Sequence, residues 1–148
     1  MTKQFTVLGI MGSPRRHGNT EILLDSALSG AKQANAEVSK LIVTERNILP
    51  CRELYTCTKN GYCAIKDDMQ KIYIDLETVD HVIFASPIFF YGITAQAKAL
   101  VDRCQALWAR RYVLHMNSND DRVPNQRWYR RDSCSLKAES QFRQLPRL

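Results

Sequence analysis

Gly12-Ser13-Pro14-Arg15-Arg16-His17-Gly18-Asn19-Thr20 lies between an apolar run, Phe5 to Met11, and a stretch carrying Ile22, Leu23, Leu24, Ala27, Leu28 and Ala31 at helical spacing. The first run is rich in strand formers, and the second has the period of an amphipathic helix. A helix starting near Asn19 points its unpaired N–H groups, the positive end of its dipole, into the loop. Ser13, Asn19 and Thr20 add short polar donors, and Arg15, Arg16 and His17 add charge. The glycines let the backbone approach an anion closely. The pattern predicts a phosphate cradle at a strand-to-helix junction, with an ordinary solvated turn as the alternative.

Two better-known phosphate loops are excluded by residue type. No Lys-Ser or Lys-Thr pair follows Gly18, as a nucleoside-triphosphate loop requires. The glycine spacing does not fit the G-x-G-x-x-G of a dinucleotide pyrophosphate site. What is left is a hydroxyl- and amide-rich cradle for one terminal phosphate.

Beyond this unit, Glu37 to Val43 reads as a second strand, and residues 47–66 as a turn-rich segment holding three of the cysteines. Asp67-Asp68 opens a predicted helix through Glu77, with Met69, Ile72, Tyr73 and Leu76 on one face and the acids suited to its dipole. His81 to Ala85 is a short continuous apolar run of the kind buried on both faces of a parallel sheet. Ser86-Pro87-Ile88-Phe89-Phe90-Tyr91-Gly92-Ile93 follows, then a predicted helix from about Thr94 to Trp108. Alternating strands and helices imply an α/β fold: a parallel sheet with right-handed crossovers and helices on both faces. In such sheets ligands bind beyond the carboxyl ends of the strands, where strand order reverses. The loops after the first and third strands meet there, one a phosphate cradle and the other an apolar, aromatic wall, as a flat ring system with a phosphate tail requires.

Length and composition narrow the class. At 148 residues and 45% hydrophobic content the chain suits one domain with a real core. It has neither a bilayer-length apolar run nor the apolar start of a signal peptide, so the expected compartment is the cytoplasm. Cys51, Cys57, Cys63, Cys104 and Cys134 are odd in number, and a reducing compartment disfavours disulfides. Metal binding, redox chemistry and inert thiols stay open for them. The net charge of +6 sits almost wholly after Ala109, where nine basic residues face four acidic ones. The body is nearly neutral, which argues against a nucleic-acid binder, and the basic tail with Trp128 and Tyr129 reads as a solvated segment.

Several motifs in order and at matching gaps carry a family resemblance over about the first 110 residues. Gly12-Ser13-Pro14-Arg15 with Gly18-Asn19-Thr20, Pro50-Cys51 through Cys57 to Cys63, Asp67-Asp68-Met69, Ser86-Pro87-Ile88-Phe89-Phe90, and Lys98 with Asp102-Arg103 resemble the NADPH-dependent FMN reductase and iron–sulfur flavoprotein family. The resemblance implies a flavodoxin-like three-layer α/β/α fold with sheet order 2-1-3. It implies noncovalent FMN, with the phosphate against Ser13, Arg15, Asn19 and Thr20 and the ring against Pro87, Ile88, Phe89, Phe90 and Gly92. It also implies NAD(P)H as electron donor, a small-molecule or protein acceptor, and a homo-oligomer, dimer or higher. No Ser-His-Asp set or paired acid and base is visible, and hydride transfer to a flavin needs none, so no catalytic side chain is assigned.

The chain departs from the family pattern twice. Iron–sulfur members resemble C-x-x-C-x-x-C followed by a fourth cysteine; Cys51, Cys57 and Cys63 fit three of those positions, but Leu54 occupies the other. A Cys₄ set is the usual arrangement, so a compact cysteine loop is favoured over a bound cluster, and no metal ligand is assigned. Cys104, on the apolar stripe of the last helix, and Cys134, in the tail, are read as bystanders. Secondly, residues after about Arg110 lack the later strands of such a sheet, and Tyr112-Val113-Leu114 is the last, short candidate. The expectation is therefore a flavodoxin-like FMN-binding domain over 1–110 and a basic divergent tail over 111–148, the later strands missing or replaced. An apolar edge left on the third strand favours cover by the tail or a second subunit.

These readings rank four functions. An FMN-dependent oxidoreductase fed by NAD(P)H leads. A flavodoxin-like electron carrier, with or without iron–sulfur, is the alternative, followed by a non-catalytic FMN-binding or oligomerisation module and, last, a basic-tail nucleic-acid binder.

Overall fold

The computed structural model describes residues 4–117, with side chains to residue 111. Three strands, β1 (Thr6–Met11), β2 (Glu37–Ile42) and β3 (His81–Ala85), form one parallel sheet in the order β2-β1-β3. Val7 lies opposite Val38 and His81, and Ile10 opposite Leu41 and Phe84. This is the expected order, with β1 central because it carries the most continuous apolar run.

Five helices complete the described chain: α1 (Asn19–Gln33), α2 (Thr56–Asn60), α3 (Met69–Thr78), α4 (Ala95–Arg103) and α5 (Gln105–Asn117). A 3₁₀ turn at Val43–Glu45 ends the second strand one residue earlier than its composition predicts. The alternation of side chains along β1 sorts the core into two layers. Val7 and Met11 pack with Leu24 and Leu28 of α1 on one face. Leu8 and Ile10 pack with Ile72 and Tyr73 of α3, Leu100 of α4 and Ala106 of α5 on the other. The α/β/α sandwich follows directly from these two clusters.

Three local expectations are corrected. The long helix expected from Thr94 to Trp108 is two helices, with Cys104 between them; its N–H donates to the carbonyls of both Leu100 and Val101. Tyr112-Val113-Leu114 is helical, not a strand, because α5 propagates through it from the strong helix formers Gln105-Ala106-Leu107. Asp67 and Asp68 do more than charge a helix terminus. Asp68 accepts the Asn47 N–H at 2.8 Å, and Asp67 accepts the N–H of Leu49 at 2.9 Å and of Met69 at 3.1 Å. Both therefore fasten residues 47–49 to the start of α3.

The strongest polar anchor is internal. The Arg103 guanidinium meets Asp67 through two hydrogen bonds, 2.7 and 3.0 Å, with both side chains excluded from solvent. It also donates to the carbonyl of Leu49, while Tyr73 Oη donates to that of Arg103. Burial opposes the charged form of Asp67 but is outweighed by Arg103 and the two backbone N–H groups, so its carboxyl is held below its usual range. Trp128, Tyr129 and Cys134 lie outside the described residues.

Candidate functional site

Gly12, the first residue past β1, joins two loops distant in sequence. Its N–H donates to the Ala85 carbonyl at the end of β3 at 2.7 Å, and its carbonyl accepts the buried Thr94 hydroxyl at 2.6 Å. Thr94 Oγ1 also accepts the Ala97 N–H, capping α4. A Cβ at Gly12 would stand 2.9 Å from the Ala97 Cβ and 3.2 Å from the Ala85 carbonyl oxygen, so only glycine permits this approach. The loops over 13–18 and 86–93 are thereby fixed side by side at the carboxyl ends of neighbouring parallel strands.

The first loop is held from beneath. Ser13 is 4% exposed, and its hydroxyl accepts the Arg15 N–H at 3.1 Å. Arg15 is exposed, its aliphatic stem passing over Gly18. Gly18 is the N-cap of α1 and gives no side-chain cap, which leaves the first-turn N–H groups of Asn19 and Thr20 without one. Asn19 is exposed and Thr20 half-buried. These are the four residues the resemblance assigns to the phosphate; Asn19 and Thr20 open α1, and Ser13 and Arg15 lie in the loop that leads into it.

Sequence reading missed the group that organises them. Glu21, 3% exposed, accepts the His17 N–H at 2.5 Å and salt-bridges Arg16 at 3.1 Å and Lys40 of β2 at 3.0 Å. The His17 hydrogen bond above all, with Lys40 and Arg16, lowers its carboxyl to about 2 against the cost of burial. His17 takes φ 57°, the left-handed region, and this bond holds it there. A glutamate at the third helical position, reaching back over the cap, is the sequence signal for such a strap. Arg16, which also pairs with Glu45, is thus occupied within the loop's scaffold.

The second loop presents its apolar side chains to solvent. Phe89 and Gly92 exchange two backbone hydrogen bonds, 2.7 and 3.0 Å, around a two-residue turn. Both central residues have positive φ, Phe90 at 41° and Tyr91 at 65°, the pattern of a type I′ turn that ordinarily takes Asn-Gly. Their rings meet edge-on at 5.6 Å and are 97% and 96% exposed. Ile88 is 83% exposed and Phe89 about half, while Pro87 is half-buried beside Ser86, whose hydroxyl accepts the Thr94 N–H at 3.3 Å. Rings held outward in a disfavoured backbone point to a contact surface.

The cysteine segment is a separate place. Cys51, Cys57 and Cys63 line one cavity of about 530 Å³ together with Leu54, Tyr55, Asp102 and Gln105. Among the described residues no three His, Cys, Asp or Glu side chains are grouped to hold a metal ion. With Leu54 at the remaining position of the motif, these residues do not fit a four-thiolate cluster. No described helix is long and apolar enough to cross a membrane.

The model of a family described as NADPH-dependent FMN reductase matches residues 5–120. An iron–sulfur flavoprotein of Archaeoglobus fulgidus is 39% identical over 106 residues, covering 72% of this chain and 54% of the relative. One of Methanosarcina thermophila is 33% identical over 108 residues, covering 73% and 56%. The chain spans about half the length of these curated relatives. Among solved structures, a flavone reductase superposes with a TM-score of 0.55 at 22% identity over 83% of this chain and 39% of its own, a likeness of fold.

Proposed function

The chain belongs to the NADPH-dependent FMN reductase family, and from that premise we propose that it is an FMN-binding oxidoreductase that takes hydride from NAD(P)H and passes electrons to a small-molecule or protein acceptor. The observation that carries this reading is the Gly12 junction, which sets an uncapped helix terminus beside an apolar, aromatic loop. Buried Ser13, exposed Arg15 and the first turn of α1 at Asn19 and Thr20 are a donor set suited to a phosphate dianion. Because Arg16 and Lys40 neutralise Glu21, Arg15 is left as the loop's arginine for the phosphate. Pro87, Ile88, Phe89, Phe90 and Gly92 supply an apolar wall and backbone N–H groups for the rim of the flavin ring. When bound, FMN supplies hydride acceptance and electron delivery, while these residues orient it and exclude water.

In this reading residues 1–110 carry the flavin site and 111–148 form a distinct basic segment. A homo-oligomer belongs to it, since Val82 and Phe84 of β3 are exposed on the described sheet. The test is a titration of the full chain with FMN and with riboflavin. Arg15→Ala weakens FMN binding about tenfold, as loss of one charge-assisted contact does, and leaves riboflavin unchanged. Equal binding of both flavins by the unaltered protein, or of neither, overturns the assignment. Anaerobic bleaching of the bound flavin by NADPH then separates reductase from electron carrier.

A further inference from the structure

Among the described residues β3 pairs with β1 and with no other strand. The Gly12 N–H donates to the Ala85 carbonyl, which fixes the phase of that ladder. In a parallel pair alternate residues of a strand bond its neighbour, so Ala85, Ile83 and His81 turn their backbone groups towards β1. The N–H and C=O groups of Val82 and Phe84 point the other way, to the open edge. Their side chains lie on the sheet face of Leu8 and Ile10, the β1 residues opposite them. No residue of β3 joins the core that Leu8 and Ile10 make with α3, α4 and α5, and Val82 and Phe84 are 46% and 38% exposed. Ile83 and Ala85, by contrast, pack against the α1 layer. Open backbone groups and uncovered apolar side chains thus belong to the same two residues.

We propose that the β3 edges of two copies of this chain pair antiparallel about a twofold axis at Ile83, giving one six-stranded sheet in the order β2-β1-β3-β3-β1-β2. This inference rests on the homo-oligomer of the functional reading and is independent of its flavin site. The register follows from the hydrogen-bond phase. Antiparallel neighbours exchange both bonds only where two residues that face the edge stand opposite each other. With Ile83 opposite Ile83 of the second copy, Val82 meets Phe84 and Phe84 meets Val82, so every outward group on either strand finds a partner. His81 meets Ala85, and the whole of β3 overlaps. Each outward pair also sets a β-branched side chain against an aromatic ring, a favourable cross-strand combination.

The choice of a second copy rests on charge and on the rest of the chain. A twofold axis brings groups against their own kind, and β3 holds no Asp, Glu, Lys or Arg to repel itself. The opposite edge, β2, carries exposed Glu37 and Lys40, charges of the kind that guard natural sheet edges, whereas β3 has neither such a charge nor a proline. Residues 118–148 contain no continuous apolar run to lay over Val82 and Phe84, so the best-matched strand in this sequence is β3 itself.

The experiment is sedimentation velocity on the full chain from about 1 to 100 μM, the range suited to a small interface, with residue-resolved amide exchange at both ends of it. A monomer–dimer equilibrium is expected. Val82→Lys raises its dissociation constant at least about tenfold, because the axis repeats the change at both ends of the interface. Val82→Pro does the same by removing an outward N–H while sparing the bonds to β1, and far-UV circular dichroism checks that both variants stay folded. The Val82 and Phe84 amides gain protection as the dimer forms, whereas those of Ile83 and Ala85 are protected at every dilution. A dimer that survives both substitutions at Val82 but is lost with Phe90→Asn and Tyr91→Gly overturns this interface and leaves the homo-oligomer standing. A monomer at every concentration overturns both, and Val82 and Phe84 amides already protected in that monomer show that another part of the chain holds the edge. FMN titration of the same samples judges the flavin site separately.

Discussion

The double substitution Phe90→Asn with Tyr91→Gly is expected to stabilise the protein while weakening its hold on flavin. Both residues sit in left-handed backbone, which costs roughly 1–2 kcal/mol for each bulky L-residue. Neither ring is covered, so removing them loses little beyond their mutual edge contact, about 0.5–1.5 kcal/mol. The added glycine lowers the gain by a further ~0.5–1 kcal/mol of chain entropy. The net is about 1 kcal/mol in favour of the variant, or roughly 2–4 °C in Tm for a chain of this size. Calorimetry of flavin-free protein measures the first effect, and FMN titration the second. A fall in Tm would refute the reasoning, because it would mean that the rings are packed in the native state and that the turn is not strained.

Three further outcomes follow from the anchors. Glu21 is depressed from an unfolded value near 4.5 to about 2, so its contribution to stability is complete above pH 5 and is lost as pH falls from about 4.5 towards 2; Glu21→Gln flattens that acid limb in thermal melts. Asp67→Asn leaves the Arg103 charge buried without its counter-ion and is expected to cost about 3–5 kcal/mol in urea unfolding; the paired change Asp67→Leu with Arg103→Met removes the buried charge but strands the N–H groups of Leu49 and Met69, so it recovers only part of the loss. Gly12→Ala forces a methyl group into Ala97 and the Ala85 carbonyl, costing about 1–3 kcal/mol by denaturant titration and reducing FMN affinity by separating the two loops.

How far the sequence could be read depended on the range of the interaction that decides each element. The start of α1 at Asn19 and the three-strand order rest on local periodicity and on crossover rules, and both are visible in one dimension. The Gly12 to Thr20 loop announced itself for the same reason. Glu21 carries a local signal in its place at the third helical position, but the pairing with Lys40, which reaches it from another strand, is invisible in one dimension. The break at Cys104 was hidden, since Ala, Leu, Arg and Gln on either side all favour helix and only packing sets the bend. Phe90-Tyr91 could not be read as a tight turn, because the aromatic pair contradicts the residue preference of the turn it makes. Local and global preference disagree most clearly there, as expected where contact outweighs foldability.

The Thr94 to Gly12 hydrogen bond spans 82 positions of sequence. A pocket assembled across such a separation cannot form ahead of the sheet that carries it. Nascent or partly folded chains would display the residues of either loop without the affinity of both. On the proposed reading flavin uptake marks the completion of β3 docking, and the cofactor's fluorescence reports that long-range step of folding.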